Sequence, residues 1–379
     1  MNKKEIYYLV SQTLSLSVRP NIANELIEML PKDKKDWENW VQMGNKHLVL
    51  QTLYVALKNN KLLQFLPADL AEYLQYIHRL NVERNQRVIQ QARALKEIFD
   101  REQISHVFMK GTANIVDGLY ADIGERLVYD IDILVDENRM LNAAGALIAS
   151  GYKTQKKFNP KAYPSTMHYP ILVHEGFVAG VEIHRLPVQY LYVKRFSAER
   201  VFETKRLSKW EKGFWVMSDK NKLIHNFVHS QLMHNGHYHA DVSLRDLYDM
   251  LLLNQRENAA KVFEDFKYFQ SKSSAYLNLM HKVLSTPVIG FKKMGGCGSF
   301  FMVRHHLTLS MSRKQRVFYH LLVASLIKYV VLPFRTIFNA NARNYVFSRL
   351  KNPHWYSEHI NAYRRKFSKS RKQPNEGLN

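Results

Sequence analysis

The chain has 379 residues, 46% of them hydrophobic and 12% aromatic, and a formal charge of +22. That length can bury a sizeable core in two or three domains, and the composition excludes a disordered or low-complexity protein. One cysteine, Cys297, excludes an internal disulfide and fits a reducing compartment.

The charge is uneven. Residues 291–379 carry 17 Lys or Arg against two acids, Glu358 and Glu376, so this segment alone is +15 and anion-seeking. The start, "MNKKEIYYLVSQTLSL", has an apolar stretch too short and too interrupted for a secretory signal, so a cytoplasmic location is expected.

Residues 1–95 are expected to be helical, since "NIANELIEML", "HLVLQTLYVALKNN" and "DLAEYLQYIHRL" repeat apolar residues every three or four positions. The last of these patterns continues to about Arg101. "ISHVFMKG" reads as a short buried strand ending at Gly111, "TANIVDGLY" as a short helix and "ADIGER" as a loop. "LVYDIDILV" is β-branched and apolar, hence a strand. "ENRMLNAAGALIASG" is a helix closed by Gly151. Residues 169–187 read as two strands around a glycine turn.

Helical patterning returns with "SDKNKLIHNFVHSQLMH", which opens on a Ser or Asp cap, and "SLRDLYDMLLLNQRE" follows. "KKMGGCGSF" reads as a linker. The run 317–334, "VFYHLLVASLIKYVVLPF", holds His320 and Lys328 and is marginal in length, so it reads as a buried or interfacial helix with no transmembrane span. The expected division is a helical part over 1–95, an α/β core over 96–218, a helical lobe over 219–290 and a basic extension over 291–379.

Chemistry concentrates in "LVYDIDILV". Residues two apart on a strand share a face, so Asp130 and Asp132 project together while Tyr129, Ile131 and Ile133 turn into packing. Adjacent buried carboxylates repel, and a divalent cation relieves them. Magnesium takes a few carboxylates together with water and substrate phosphates. The plain alternative is a pair of aspartates at a strand end facing solvent.

The neighbours favour the metal reading. Lys110, Gly111 and Thr112 lie at a strand-to-helix turn, where a glycine lets backbone N–H groups approach phosphate. Glu182, in "GVEIHRLP", supplies a third carboxylate, which a two-metal site would require.

Taken in order, "FMKGTANIVDGLY", "ERLVYDIDILV" and "VEIHRLP" resemble the nucleotidyltransferase superfamily that includes DNA polymerase beta. More narrowly, they resemble the bacterial uncharacterised nucleotidyltransferase family, with its Lys-Gly turn, an Arg four residues before D-x-D and a Glu-x-His strand. The resemblance covers about residues 85–255 and excludes the basic tail. It implies an α+β fold, with a small mixed sheet between a helical N-terminal part and a helical C-terminal lobe.

It also implies transfer of a nucleoside monophosphate from an NTP to an acceptor hydroxyl with two magnesium ions, manganese being the alternative. Asp130 and Asp132 would hold the metals, and Glu182 would complete the site and take the acceptor proton. Gly111 and Thr112 would cradle the triphosphate, and Lys110 and Arg126 would neutralise it. His184 would touch the acceptor or orient a carboxylate. The Lys-Gly-Thr turn departs from the superfamily's usual Gly-Gly or Gly-Ser, and the interval from Gly111 to Asp130 is longer than in many members. The acceptor is left open among a small molecule, a glycan precursor, a protein and RNA.

Three other features stand out. His225 and His229 lie four apart on a helix, but the Glu of a zinc-protease helix is missing, so they read as a packing face. Asp241, Arg245, Asp246 and Asp249 read as surface pairs. The basic tail, "YRRKFSKSRK" with Tyr345, Phe347, Trp355 and Tyr356 upstream, suits RNA or an anionic membrane surface. A catalytically inactive protein binding through that tail is the competing function.

Overall fold

The computed structural model describes residues 1–155, 166–286 and 296–351. The fold is α+β. Five helices come first: α1 Lys3–Ser15, α2 Ala23–Met29, α3 Lys34–Lys46, α4 Leu50–Asn59 and α5 Ala68–Arg101. A small mixed sheet follows, from β1 His106–Met109, β2 Asp130–Val135, β3 Lys153–Thr154, β4 Leu172–Val173, β5 Gly180–His184, β6 Arg206–Leu207 and β7 Trp215–Val216. Its strand order is β3-β4-β5-β2-β1-β7-β6. Helices α6 Lys110–Val116, α7 Met140–Ala149 and α8 Ala198–Glu203 connect the strands.

The later helices are α9 Asp219–Phe227, α10 Gly236–His239, α11 Leu244–Arg256, α12 Ala259–Phe266, α13 Gln270–Leu284, α14 Gly296–Ser310, α15 Arg313–Leu326, α16 Leu332–Phe338 and α17 Ala340–Leu350. Ser218 and Ser243 cap α9 and α11 by accepting from Asn221 N and Asp246 N, the first as its sequence suggested. A π-helical turn, Val228–Met233, extends α9. α1 packs against α3 and α4 and also against α13 and α14, so a continuous apolar core joins the first helices to α13 and α14.

β2 lies in the middle of the sheet because both its neighbours pair with it, β1 antiparallel and β5 parallel. Its apolar residues Ile131 and Ile133 are fully buried. Tyr129 does not follow them inward. It precedes the strand and is 53% exposed.

The long helix α5 fixes the loop that enters β2. Asn81 Nδ2 donates to Gly124 O at 2.7 Å, and Asn85 Nδ2 donates to Ile123 O at 2.6 Å and Arg126 O at 2.8 Å. Arg84 Nε donates to Val128 O at 3.0 Å, and Gln91 exchanges two hydrogen bonds with Ala179, just before β5. From α4, Thr52 Oγ1 donates to Glu125 O at 2.9 Å. Gly124 is required by this close approach, since a Cβ there would lie 2.5 Å from Val82 and 2.6 Å from His78.

A second fixture joins the sheet to the helical lobe. Asp117, at the end of α6, is fully buried. It accepts both Arg206 guanidinium nitrogens at 2.7 and 2.6 Å, Lys222 Nζ at 2.5 Å and Arg256 Nη1 at 2.8 Å. Although burial opposes ionisation, these cations hold its carboxyl far below the usual carboxylate range. Three elements distant in sequence, β6, α9 and α11, thus meet on one carboxylate.

Three expectations change. Gly296 and the residues after it are helical, so the glycine-rich stretch is not wholly a linker. Asp249 is buried rather than on the surface. The segment 317–334 belongs to a longer helix, Arg313–Phe338, whose apolar window is not buried at all. Among the described residues it is one helix long and apolar enough to cross a membrane, which removes the buried alternative. The tail from 352 onward, with Trp355, Tyr356 and "YRRKFSKSRK", lies outside the described residues, as does the side chain of Tyr345.

Two measurements follow from these contacts. Asp117→Asn leaves buried cations short of an anion and is expected to cost about 3–5 kcal/mol in denaturant titration, as removing one partner of a buried ion pair does. Glu125 is buried, and burial pushes its carboxyl up to about 7 against the opposing hydrogen bond from the Tyr248 hydroxyl. A raised carboxyl favours the fold in acid and loses that contribution as pH rises through 7. Glu125→Gln should therefore match wild type near pH 4 and exceed it by on the order of 3 kcal/mol at pH 8, read from paired urea curves.

Candidate active site

β1 delivers a lysine. The strand ends at Met109, opposite Asp132 on β2. The chain then turns sharply, with Lys110 in the left-handed region at φ +52°. A non-glycine residue there carries local strain that the surrounding structure must support. That turn sends Lys110 Nζ to Asp132 Oδ1 at 2.6 Å.

Gly111 follows. A Cβ at this position would lie 3.1 Å from Val128 Cγ2, so the glycine lets the start of α6 pack against the approach to β2. α6 has only seven residues, which leaves little helix dipole to favour an anion.

β2 and β5 run parallel with Asp132 directly beside Glu182 and Leu134 beside His184. The two carboxylates therefore share a face of the sheet. His184, two residues on, reaches back along that face. Its Nε2 lies 2.8 Å from Asp132 Oδ1 and 3.2 Å from Glu182 Oε2. The ring is fully buried, and its Nδ1 has no partner among the described residues. One ligand atom each from Asp132, Glu182 and His184 lie within 4.8 Å of one another.

The electrostatics are uneven across the cluster. Asp132 is nearly inaccessible, and burial alone would push its carboxyl up. Lys110 and the His184 hydrogen bond outweigh burial and hold it ionised far below the ordinary range. Glu182 is lowered chiefly by the His184 hydrogen bond. His184 is raised in turn, because its bonds to Asp132 and Glu182 outweigh desolvation. Burial and the neighbouring Asp132 raise Asp130, with Lys110 opposing. Lys110 pairs directly with Asp132 alone, while Glu182 and the exposed Asp130 act on it at longer range, and the residual negative charge suits a further cation.

Asp130, Asp132 and Glu182 are hard oxygen donors, which fit magnesium or manganese. The imidazole of His184 suits such an ion poorly. Its hydrogen bonds to both carboxylates give it an orienting part instead. Its buried place beside both carboxylates supports the orienting alternative.

The other sequence-derived candidates lie apart from this cluster. Thr112 is buried and donates to Asp130 O at 3.2 Å, which ties α6 to β2. Arg126 is buried too. Its Nε lies 3.3 Å from both Asp249 oxygens, and the Tyr120 hydroxyl donates to the same carboxylate at 2.8 Å. The charge of Arg126 is therefore already matched within the protein.

A small cleft, about 80 Å³, opens beside Lys110 and Gly111 toward the helical lobe. Arg126, His225, His229, Arg245 and Asp246 are among the residues that line it. Sequence reasoning assigned the two histidines to packing alone. They are packed, with rings stacked 5.6 Å apart at 23°, yet they also form the cleft wall. Burial, and then the Lys110 charge, keep both well below the usual imidazole range, His225 at about 4. Their four-residue spacing was the available signal, but nothing local in sequence put that helix face opposite Lys110.

A family model described as uncharacterised nucleotidyltransferase matches residues 33–281. No curated protein and no solved structure matches the chain.

Proposed function

The chain belongs to the uncharacterised nucleotidyltransferase family, and on that premise we propose that it transfers a nucleoside monophosphate from an NTP to an acceptor hydroxyl. The observation that carries this reading is the pairing of Asp132 with Glu182 on adjacent parallel strands, with Lys110 at the edge of a cleft. In the reaction the acceptor oxygen forms a bond to the α-phosphorus, and the bond from that phosphorus to the departing pyrophosphate breaks.

Asp130, Asp132 and Glu182 would hold magnesium, with manganese as the alternative, and the ion when bound supplies positive charge to the triphosphate and the acceptor hydroxyl. Lys110 neutralises phosphate charge from the cleft wall, where its ammonium is kept protonated by the carboxylates. Gly111 lines the same cleft, and its missing side chain is taken up by packing against Val128. Glu182 is ionised at neutral pH and takes the acceptor proton as the new bond forms. His184 holds Asp132 and Glu182 in place. Arg126, paired to Asp249, shapes the cleft rather than contacting phosphate. The acceptor belongs to one of four classes, a small molecule, a glycan precursor, a protein or RNA. We place the chain in the cytoplasm, with its basic C-terminal part against an anionic membrane surface.

A second reading, a scaffold without turnover that binds RNA or membrane through that basic part, is favoured by one observation. Lys110 Nζ pairs with Asp132 at 2.6 Å, so part of the carboxylate charge is met by the protein itself. Fold membership alone does not decide between them.

The deciding experiment incubates each α-labelled NTP with magnesium or manganese in a lysate that supplies acceptors. Wild type should transfer label, and Asp130→Asn with Asp132→Asn should abolish transfer. Undiminished transfer by the double variant would refute the site. Lys110→Ala should retain the reaction at about a 10²- to 10³-fold lower rate, the usual effect of losing one stabilising charge. His184→Phe should weaken Mn²⁺ affinity about 10- to 100-fold in paramagnetic titrations, as loss of an orienting partner does.

A further inference from the structure

The helix Arg313–Phe338 is built the wrong way round for water. Four of its polar side chains face the protein. Arg316 Nη2 donates to Thr308 O at 2.8 Å, and Arg335 Nη2 donates to the Tyr238 hydroxyl at 2.9 Å. The Tyr319 hydroxyl donates to Tyr238 O at 3.4 Å, and His320 Nε2 lies 3.7 Å from Asp241. Its apolar side chains face outward. Phe318 is 69% exposed, Tyr329 60%, Phe334 64% and Ile337 60%, with Leu322 and Leu326 about half exposed. At 3.6 residues per turn Phe318, Leu322, Leu326 and Tyr329 share one face, and the π-helical turn Ile327–Val331 shifts the phase so that Phe334 and Ile337 continue it, over about 30 Å.

The charge pattern selects the occupant. From residue 266 to residue 357 there are 14 Lys or Arg and no Asp or Glu. A second copy of the chain would bring this acid-free segment against its own like charge. RNA would seek phosphate contacts, whereas the outward face is apolar. An anionic bilayer surface satisfies both the apolar face and the surrounding cations.

We infer that Arg313–Phe338 docks the protein in the plane of an anionic membrane, lying along the headgroup boundary with its Phe318–Ile337 face inserted. This specifies the membrane contact proposed above and rests on it only for the preference for negative charge. It does not depend on nucleotidyl transfer. The helix does not cross the bilayer, because its inner face is tied to the body from Arg316 to Arg335. Crossing would break those bonds and carry Arg316, His320, Lys328 and Arg335 into or through the hydrocarbon.

The test uses the full chain and vesicle flotation, with phosphatidylglycerol-containing and purely phosphatidylcholine vesicles. Binding should favour the anionic vesicles and fall about 100-fold or more for Phe318→Glu with Phe334→Glu, both of which are exposed positions. Depth quenching of labels at Phe318→Cys, Leu326→Cys and Phe334→Cys, each in a Cys297→Ser background, should give one shallow depth for all three.

A depth maximum at 326, with thiol reagents reaching Lys314→Cys and Phe338→Cys from opposite sides, would overturn the in-plane geometry. So would the absence of binding to either vesicle, or vesicle binding that the double Glu variant leaves intact. A dimer without vesicles that the double variant dissolves would assign the face to a second copy. Equal binding to both vesicle types would overturn the anionic preference and, with it, the membrane contact proposed above.

Discussion

A carboxylate in the middle of a sheet is the constraint on which this molecule is arranged. Asp132 is 1% exposed, and an isolated charge there would unfold the strand or lose its ionisation. Two side chains prevent that, from opposite neighbours of β2. Lys110 arrives from the end of β1, at the cost of a left-handed backbone. His184 arrives from β5 and exists at the right height only because β2 and β5 pair in parallel register. A one-residue slip of that register would set Val181 beside Asp132 and turn Glu182 and His184 to the other face.

The same logic of compensated burial sets the larger architecture. Asp117 gathers Arg206, Lys222 and Arg256 and so fixes the helical lobe against the sheet. Asp249, Tyr120 and Arg126 repeat the device on a smaller scale beside the cleft. Burying Lys222 brings its ammonium down to about 8 even with Asp117 beside it, since desolvation is the larger effect. The cleft wall therefore consists of groups whose charges are mostly settled inside the protein, with Lys110 the cation nearest the carboxylates.

Local patterning made the elements legible. The strand at 130–135, the helix ending at Arg101 and the serine cap of α9 all follow from periodicity and capping chemistry. The motifs carried the family as well. What sequence could not supply was pairing at a distance. Arg126 stands four residues before D-x-D and so suggests a phosphate ligand, but its carboxylate partner lies 123 residues away. Thr112 is spent on a carbonyl 18 residues on. Asp249 looks like one of several helix-surface acids until the fold brings Tyr120 and Arg126 to it. In 317–334 the composition was readable, but which face would turn outward depended on Tyr238 and Asp241, from a different helix and its following turn.

The grip of α5 on the loop before β2 has a consequence for how this family can vary. Asn81, Asn85 and Arg84, with Thr52 from α4, take hold of carbonyl oxygens at 123, 124, 125, 126 and 128. A carbonyl is the same in every residue. Apart from Gly124, where there is no room, and the buried Glu125, Arg126 and Val128, the loop can change its side chains without loosening its anchor. The helix bears the selective burden for the loop's position, and drift in the loop need not move the strand it leads into.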